Sequence, residues 1–495
     1  MDYLDTAKQM RQNILLFIGY ILVAIAIAIA TILLVQHAYG YGFGLGKQGT
    51  VIQSGLAFFS SQPNPAQIYV NNSLYPSTTN TRLYLPENIY NIRLSRAGYY
   101  DWKRTIEVDG GKVEHFDYPL LTPKTLTTNK VQTYTAPPSV VTQSPDRRWL
   151  LVTHPGSLTD FDVYDLKSQT SVKNVTTISL PDGVLSKATT PGETLQLAEW
   201  ADDNQHVLLQ HNFDGKTEFI LLDRTNPEQS INLNTNLSID PSKITLKNKK
   251  FDQYYVYDAT TGDLQTVRKS TDKTTVLQHV LAYQSYGDNT ILYVTDSGAP
   301  AGKVLLRMLV GNQSTTLRSF PTSPSYVLDL TQYSGTMYVA AGAASLGKVY
   351  IYQDPLGQLA NLPGQAIVPT QVLRVSQPNY LSFSDSAQFI VTEGGSSLGV
   401  YDIQNNQGYS YNIPTPLDSP MPHATWMDGD RLDYVSGGKL VIFDYDQTNR
   451  HVLVPASAQY LPAFSPDYKF VYTLAPNSSG QYELNQTWLL APADR

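Results

Sequence analysis

Two hydrophobic patterns divide this chain. Ile14 to Val35, ILLFIGYILVAIAIAIATILLV, is one unbroken apolar run; beyond it, apolar residues alternate with polar ones in short strand-sized stretches. At a rise of ~1.5 Å per residue the run spans about 33 Å, enough to cross a bilayer core. No charged side chain interrupts it, and Thr31 can bond its own helix backbone. A buried helix of a soluble domain can also be apolar all round, but such runs seldom reach this length. The pattern predicts a transmembrane helix over 14–35, with the bilayer as partner.

Residues 1–13 form a short polar tail with Lys8 and Arg11, and the first clear positive charge beyond the run is Lys47. Because acidic residues count little in the positive-inside rule, this bias puts the N-terminus in the cytoplasm and everything after about residue 36 outside. A cleaved signal peptide is the rival reading. Its apolar region runs ~7–15 residues and ends at a small-residue cleavage site, whereas this run is longer and leads into Gln36-His37. An uncleaved single-pass signal anchor is expected. Residues 36–49 read as a stem: Tyr39, Tyr41 and Phe43 suit the headgroup level, and four interleaved glycines make it pliable.

From about residue 50 to 122 the period becomes two. Stretches 56–61, 66–72, 81–86, 90–96, 104–110 and 113–120 read as six short strands, with turns at Pro63-Asn64-Pro65, Asn71-Asn72, Pro86-Glu87-Asn88 and Asp109-Gly110-Gly111. Ile68/Val70, Tyr90/Ile92/Leu94 and Ile106/Val108 would line one face of a small antiparallel sandwich, with Trp102 as a core plug. The succession Pro63-Asn64-Pro65-Ala66, Ile68 through Asn72, Leu85-Pro86, Tyr90 through Leu94, Ala97 through Trp102 and Val108 through Gly111 resembles the PEGA domain. That domain is a non-catalytic module of bacterial and archaeal envelope proteins. The motif that gives it its name departs here to Pro-Asn-Pro-Ala. The resemblance implies an envelope location and no chemistry.

Residues 123–136 are polar, Thr-rich and without periodicity, and read as a linker. From 137 to 495 one phrase recurs: a short strand, a polar turn, an apolar strand, a Gly-containing hairpin, then a strand ending in Tyr-Asp or similar. It is clear at 140–165, 197–223, 381–402, 424–444 and 463–490, and weaker around Asn248, Gly287 and Gly335. Eight units of about 38–57 residues match four-stranded propeller blades, none of which can bury both sheet faces alone. The Ser-Pro-Asp turns at 144–146 and 465–467 resemble those of TolB-like propellers of the WD-type repeat family, although Pro and Asp also have a purely structural role in turns. The fold class expected is therefore mainly β: one transmembrane helix, a small sandwich and a seven- or eight-bladed propeller. Stacked β-sandwiches are the alternative to the propeller.

Composition narrows the function without naming it. Charge totals −7 over 495 residues with no basic block, which argues against nucleic-acid binding. There is no cysteine, so disulfides, thiolate catalysis and cysteine-held metals are excluded. Tyr (34) and Pro (30) are abundant, as suits turn-rich β-structure.

No residue set announces a reaction. Gly395-Ser396-Ser397-Leu398-Gly399 matches the G-x-S-x-G nucleophile elbow, but lies between two strands where other units also carry glycine hairpins. His206 and His211 fall on opposite strand faces, and His154 and His423 correspond only loosely between units, so neither pair predicts a metal site. Asp202-Asp203 and Asp428-Gly429-Asp430 read as turn carboxylates rather than calcium ligands. The Asn-x-Ser/Thr triplets at Asn174 and Asn236 are within chance. No catalytic, cofactor-binding or metal residues and no cofactor are expected.

The chain thus reads as a membrane-tethered, extracytoplasmic binding or scaffold protein whose propeller holds an envelope protein or polysaccharide. A propeller-based hydrolase or lyase acting on an envelope substrate is the alternative. A third reading is an accessory subunit, since Ala24/Ala28 and Ala26/Ala30 have helix-pairing spacing.

Overall fold

The computed structural model describes residues 6–38, 41–42, 52–167, 175–361, 366–420, 423–491 and 494. The apolar run lies in a helix, Thr6–Ala38, whose segment Asn13–Ile32 has a mean hydropathy of 2.8 and no buried residue. Thr31 returns its hydroxyl to the Ile27 carbonyl at 2.8 Å, so the one hydroxyl-bearing residue in the segment's last two turns is satisfied within the helix. Length and composition suit a membrane anchor or a signal sequence. The helix extends beyond 14–35 at both ends, into the polar tail and the start of the stem. Most of the stem, 39–40 and 43–49, lies outside the described residues.

The rest of the chain divides into two units: 1–125 together with 491–495, and 126–490. In the first, two sheets form a sandwich. One joins Ile52–Phe59 to Thr81–Pro86 and, in parallel, to Val113–Phe116, with Tyr41–Gly42 on its edge; the other runs Ser73–Thr78, Gln67–Val70, Asn88–Ser95, Trp102–Val108. Alternate residues point inward as the period-two pattern requires: Ile68, Ile92, Leu94, Ile106 and Val108 are buried, with Val70 and Tyr90 partly so, and Trp102 is 1% exposed. Asn71 and Asn72 both take left-handed φ (49° and 68°), closing the hairpin Gln67–Val70 to Ser73–Thr78 as a two-residue turn demands. That second strand is absent from the sequence reading. Its Pro76 has no N–H to donate and argues against a strand, yet an edge position, which this is, tolerates it. At Gly55 the other sheet passes so close that an added Cβ would lie 2.4 Å from the Asp109 carbonyl oxygen.

The C-terminal residues also belong to this unit, correcting their assignment to the propeller. Ala491 enters the sandwich core, its N–H donates to the Tyr99 hydroxyl at 2.8 Å, and that hydroxyl donates to Asp494 Oδ2 at 2.8 Å. Arg96 pairs with the Asp494 carboxylate.

Among the described residues the second unit holds eight four-stranded antiparallel sheets, a β-propeller of eight blades. Blade one spans 141–179, two 194–232, three 243–277, four 280–321, five 326–374, six 380–412 and seven 425–455; blade eight comprises 463–488. Neighbouring blades cover both faces of each middle strand, which explains the continuously buried runs Leu150–Thr153 and Glu218–Asp223 where period-two patterning fails.

The fourth strand of blade eight is Thr127–Tyr134, paired along its length with Tyr482–Trp488. The segment read as a linker is therefore the strand that closes the ring. Its inconspicuous pattern has a physical cause: it is an outermost strand, largely exposed. Tyr134 anchors it, its hydroxyl 2.7 Å from that of Tyr164 and 3.1 Å from Asp162 Oδ2 in blade one. At the inner edge Gln143 of blade one bonds both the N–H and the carbonyl of Phe464 in blade eight.

Candidate functional site

Each blade's first strand turns sharply into its second, and these turns gather at one end of the propeller axis. The two Ser-Pro-Asp turns share one geometry. Ser144 Oγ accepts from Trp149 N at 2.9 Å and Ser465 Oγ from Phe470 N at 3.0 Å, while each Ser donates to the Asp two residues on. The next residue takes left-handed φ: Arg147 (60°) and Tyr468 (54°), matched in other blades by Asn204 (58°), Lys249 (56°) and Ala387 (58°). From this conformation Asn204 Oδ1 accepts from Asp146 N of blade one at 2.9 Å, and Lys249 pairs with Glu199 of blade two. Arg147 reaches farthest. It donates to the Met427 carbonyl of blade seven at 2.5 Å, pairs with Asp385 of blade six, and lies 5.0 Å over the Tyr468 ring of blade eight. One guanidinium from blade one thus binds three other blades and obstructs this end of the axis.

The first strands are edge strands, so their inward N–H groups need acceptors. Three carboxylates supply them across blade boundaries: Glu199 Oε2 accepts from Leu246 N at 2.7 Å, Asp329 Oδ2 from Phe383 N at 3.0 Å, and Glu393 Oε2 from Ala424 N at 2.7 Å. Their second oxygens differ. Glu199 pairs with Lys249, and Asp329 Oδ1 accepts from Leu330 N at 2.9 Å, whereas Glu393 Oε1 is buried without a hydrogen-bond partner. Burial pushes the Glu393 carboxyl up to about 7 and Asp329 up to about 6. Asp433, paired with Thr425 Oγ1, is pushed up to about 7 for the same reason.

Glu393 sits opposite Tyr380 in the sheet of blade six, and the Tyr380 ring stacks on His423 with centroids 3.7 Å apart. Burial lowers His423 to about 4, so it is neutral at pH 7, and raises Tyr380 to about 12. This cluster lies where first strands begin and second strands end, the end of the axis opposite Arg147. At that same end a cavity of about 350 Å³ opens on Lys243 and Tyr257 of blade three, Tyr283 and Gln284 of blade four, Tyr326 of blade five and Leu381 of blade six. Leu381 follows Tyr380 on one strand, so the two side chains point to opposite faces: Leu381 packs toward blade five and the cavity, Tyr380 stacks on His423. The Lys243 ammonium is 5.1 Å from the centre of the Tyr283 ring, and Tyr257 and Tyr283 are 5.6 Å apart.

The residues singled out from sequence fall elsewhere or take structural roles. Gly395 (φ 65°) and Ser396 form the hairpin between Phe389–Gly394 and Ser397–Asp402, a strand-turn-strand context without the helix that a nucleophile elbow needs. His206 binds Asp203 and stacks on Phe251, while His211 is buried against Glu218; the two share no partner. His154 pairs with Asp162 in blade one, remote in topology from His423. Asp203 and Asp428 hold their own turns, accepting from His206 N and Arg431 N. Asp430 is raised by burial to about 7. Asn236 is exposed in the short helix Leu233–Leu237, and Asn174 lies outside the described residues. Among the described residues no group of three His, Asp or Glu side chains is placed to hold a metal. Glu393 and the cavity tyrosines escaped the sequence reading. The available signal was Glu393 itself, a charge closing the otherwise buried stretch Phe389–Gly394.

Residues 55–123 match the model of the PEGA domain. No curated protein sequence matches the chain. Among solved structures, the Dos1 propeller aligns with 73% of this chain and 95% of its own at 12% identity and a TM-score of 0.43. An oligogalacturonate lyase in complex with manganese aligns with 74% of this chain and 99% of its own at 12% identity and 0.38. Hsv2p of Kluyveromyces lactis aligns with 71% and 98% at 11% identity and 0.37. At such identities the likeness is one of fold.

Proposed function

We propose that this chain is a membrane-tethered binding protein of the cell envelope, with the N-terminus cytoplasmic and the PEGA domain and propeller outside. The propeller captures an envelope protein or polysaccharide at the axial cavity, and the chain is not an enzyme. The observation that carries the reading is that cavity: tyrosines, a lysine and an amide from three blades converge on one opening of a size suited to a ligand. The apolar helix and the PEGA match support the tethered, envelope setting.

The test is retention of envelope components by the full chain in nanodiscs, compared with Leu281→Trp, which fills the cavity wall. The reading expects a component retained by the native chain and lost by the variant. Equal retention by both, or none by either, contradicts it.

Glu393 favours a second reading, a hydrolase or lyase. A buried carboxyl near neutrality with an unpartnered oxygen has the protonation behaviour of a general acid or base. Turnover of the retained component that disappears in Glu393→Gln would establish it.

A further inference from the structure

We propose that the axial cavity is a subsite for a hexuronic acid unit of an acidic polysaccharide, with Lys243 receiving its carboxylate and the tyrosines its ring. This rests on the binding-module reading and gives its ligand a chemistry.

The charge on the wall carries the first part. Lys243 is the one charged side chain lining the cavity, and among the described residues it makes no salt bridge. Its neighbour near the axis, Lys249, is already paired with Glu199. Lys243 is exposed as a residue, but desolvation at its ammonium lowers the pKa, against a smaller opposing effect of Glu199, so an anion seated beside it favours the charged form. A cationic ligand would bring like charges together here, and an uncharged one would leave the ammonium with the Tyr283 ring face and the field of the Glu199 carboxylate, which Lys249 already pairs.

The walls carry the second part. Tyr257 of blade three and Tyr326 of blade five, both partly exposed, present aromatic surface to the C–H faces of a pyranose, with the buried Tyr283 ring tilted against Tyr257. The three tyrosine hydroxyls are already engaged: Tyr257 with the Val280 carbonyl, Tyr283 with Thr245, Tyr326 with Ser323 N. These bonds fix the rings in place before a ligand arrives. The Gln284 amide on the same wall can both donate to and accept from sugar hydroxyls. A volume of about 350 Å³ accommodates one such unit and the beginning of the next, as an internal residue of a polymer requires.

Calorimetry on the full chain in nanodiscs tests this with three probes: a trimer of hexuronic acid, the matching neutral hexose trimer, and tri-glutamate. The native chain is expected to prefer the uronate trimer over the neutral one by roughly 10- to 100-fold, the range of a charge-assisted contact, and the preference should shrink as salt rises. Lys243→Gln should abolish that preference with neutral-trimer binding unchanged, and Lys243→Arg should keep it; a thermal melt checks that both variants fold. Equal binding of the two trimers, or a preference for tri-glutamate, overturns the proposal. So does binding of no probe by a chain that still retains an envelope component, an outcome that leaves the binding-module reading standing. Failure to retain any component strikes that reading itself.

Discussion

The two ends of the propeller axis are built from the same repeated strands and differ in how their charges are treated. At the turn end, charged groups are mostly paired: Arg147 meets Asp385, Arg148 meets Asp165 at 2.7 Å, Lys249 meets Glu199 and Arg431 meets Asp428 at 2.5 Å, with Asp430 buried beside that last pair. At the opposite end they are dry or left alone: Glu393 keeps one oxygen unpartnered, Lys243 makes no salt bridge among the described residues, and His423 is stripped of its proton. Paired charges fasten blades together; unpaired ones hold free energy in reserve that a ligand can release. On the proposed function, the second end is the one that meets a partner.

The largest expected effect breaks the closed end. Arg147→Ala removes a charged hydrogen bond, an ion pair and a ring contact that together span four blades, and should cost about 2–3 kcal/mol in thermal unfolding. Arg147→Lys should not rescue it, because an ammonium cannot serve the Met427 carbonyl and Asp385 in the same planar fork.

The next prediction acts on the open end and has the opposite sign. Glu393 has its pKa raised from 4.5 to about 7, so between those values the folded protein holds a proton that the unfolded chain has released. Its contribution to stability therefore falls as pH rises from about 4.5 through 7. Glu393→Gln keeps the acceptor for Ala424 N and cannot ionise. Thermal unfolding should find it about 1–3 kcal/mol more stable than the native chain at pH 8, with the gain gone at pH 5. A native-like pH dependence in the variant would remove Glu393 from the account.

A smaller effect probes the turns themselves. Ser465→Ala leaves the buried N–H of Phe470 without its acceptor and should cost about 1–2 kcal/mol by the same melt. The smallest concerns His423, lowered from 6.5 to about 4. The unfolded chain protonates first, so its contribution is lost only as pH falls from 6.5 through 4, the reverse of Glu393. An imidazole resonance that stays neutral down to about pH 5 in NMR titration is the expected sign.

Architecture was readable where its cause is local. The helix follows from an uninterrupted run, the sandwich core from alternation around Ile92 and Ile106, and the repeat from turns that recur every few dozen residues. The ring-closing strand was not readable, since Thr127–Tyr134 gains its meaning from a partner about 350 residues away in sequence. The same holds for the site. Lys243, Tyr283 and Tyr326 are ordinary strand residues one by one, and only the packing of blades three, four and five brings them to a common mouth. Sequence motifs pointed instead to Gly395-Ser396-Ser397 and to histidine pairs, which the fold uses for a hairpin and for local carboxylate contacts.

The most direct measurement is hydrogen–deuterium exchange on the full chain with and without the envelope component it retains. Entry at the mouth opposite Arg147 predicts slowed exchange in Lys243–Leu246, Val280–Tyr286 and Tyr326–Tyr333, with the turns at 144–149 and 465–470 unchanged. Protection confined to those turns, or to the sandwich strands between Gln67 and Val108, would contradict it.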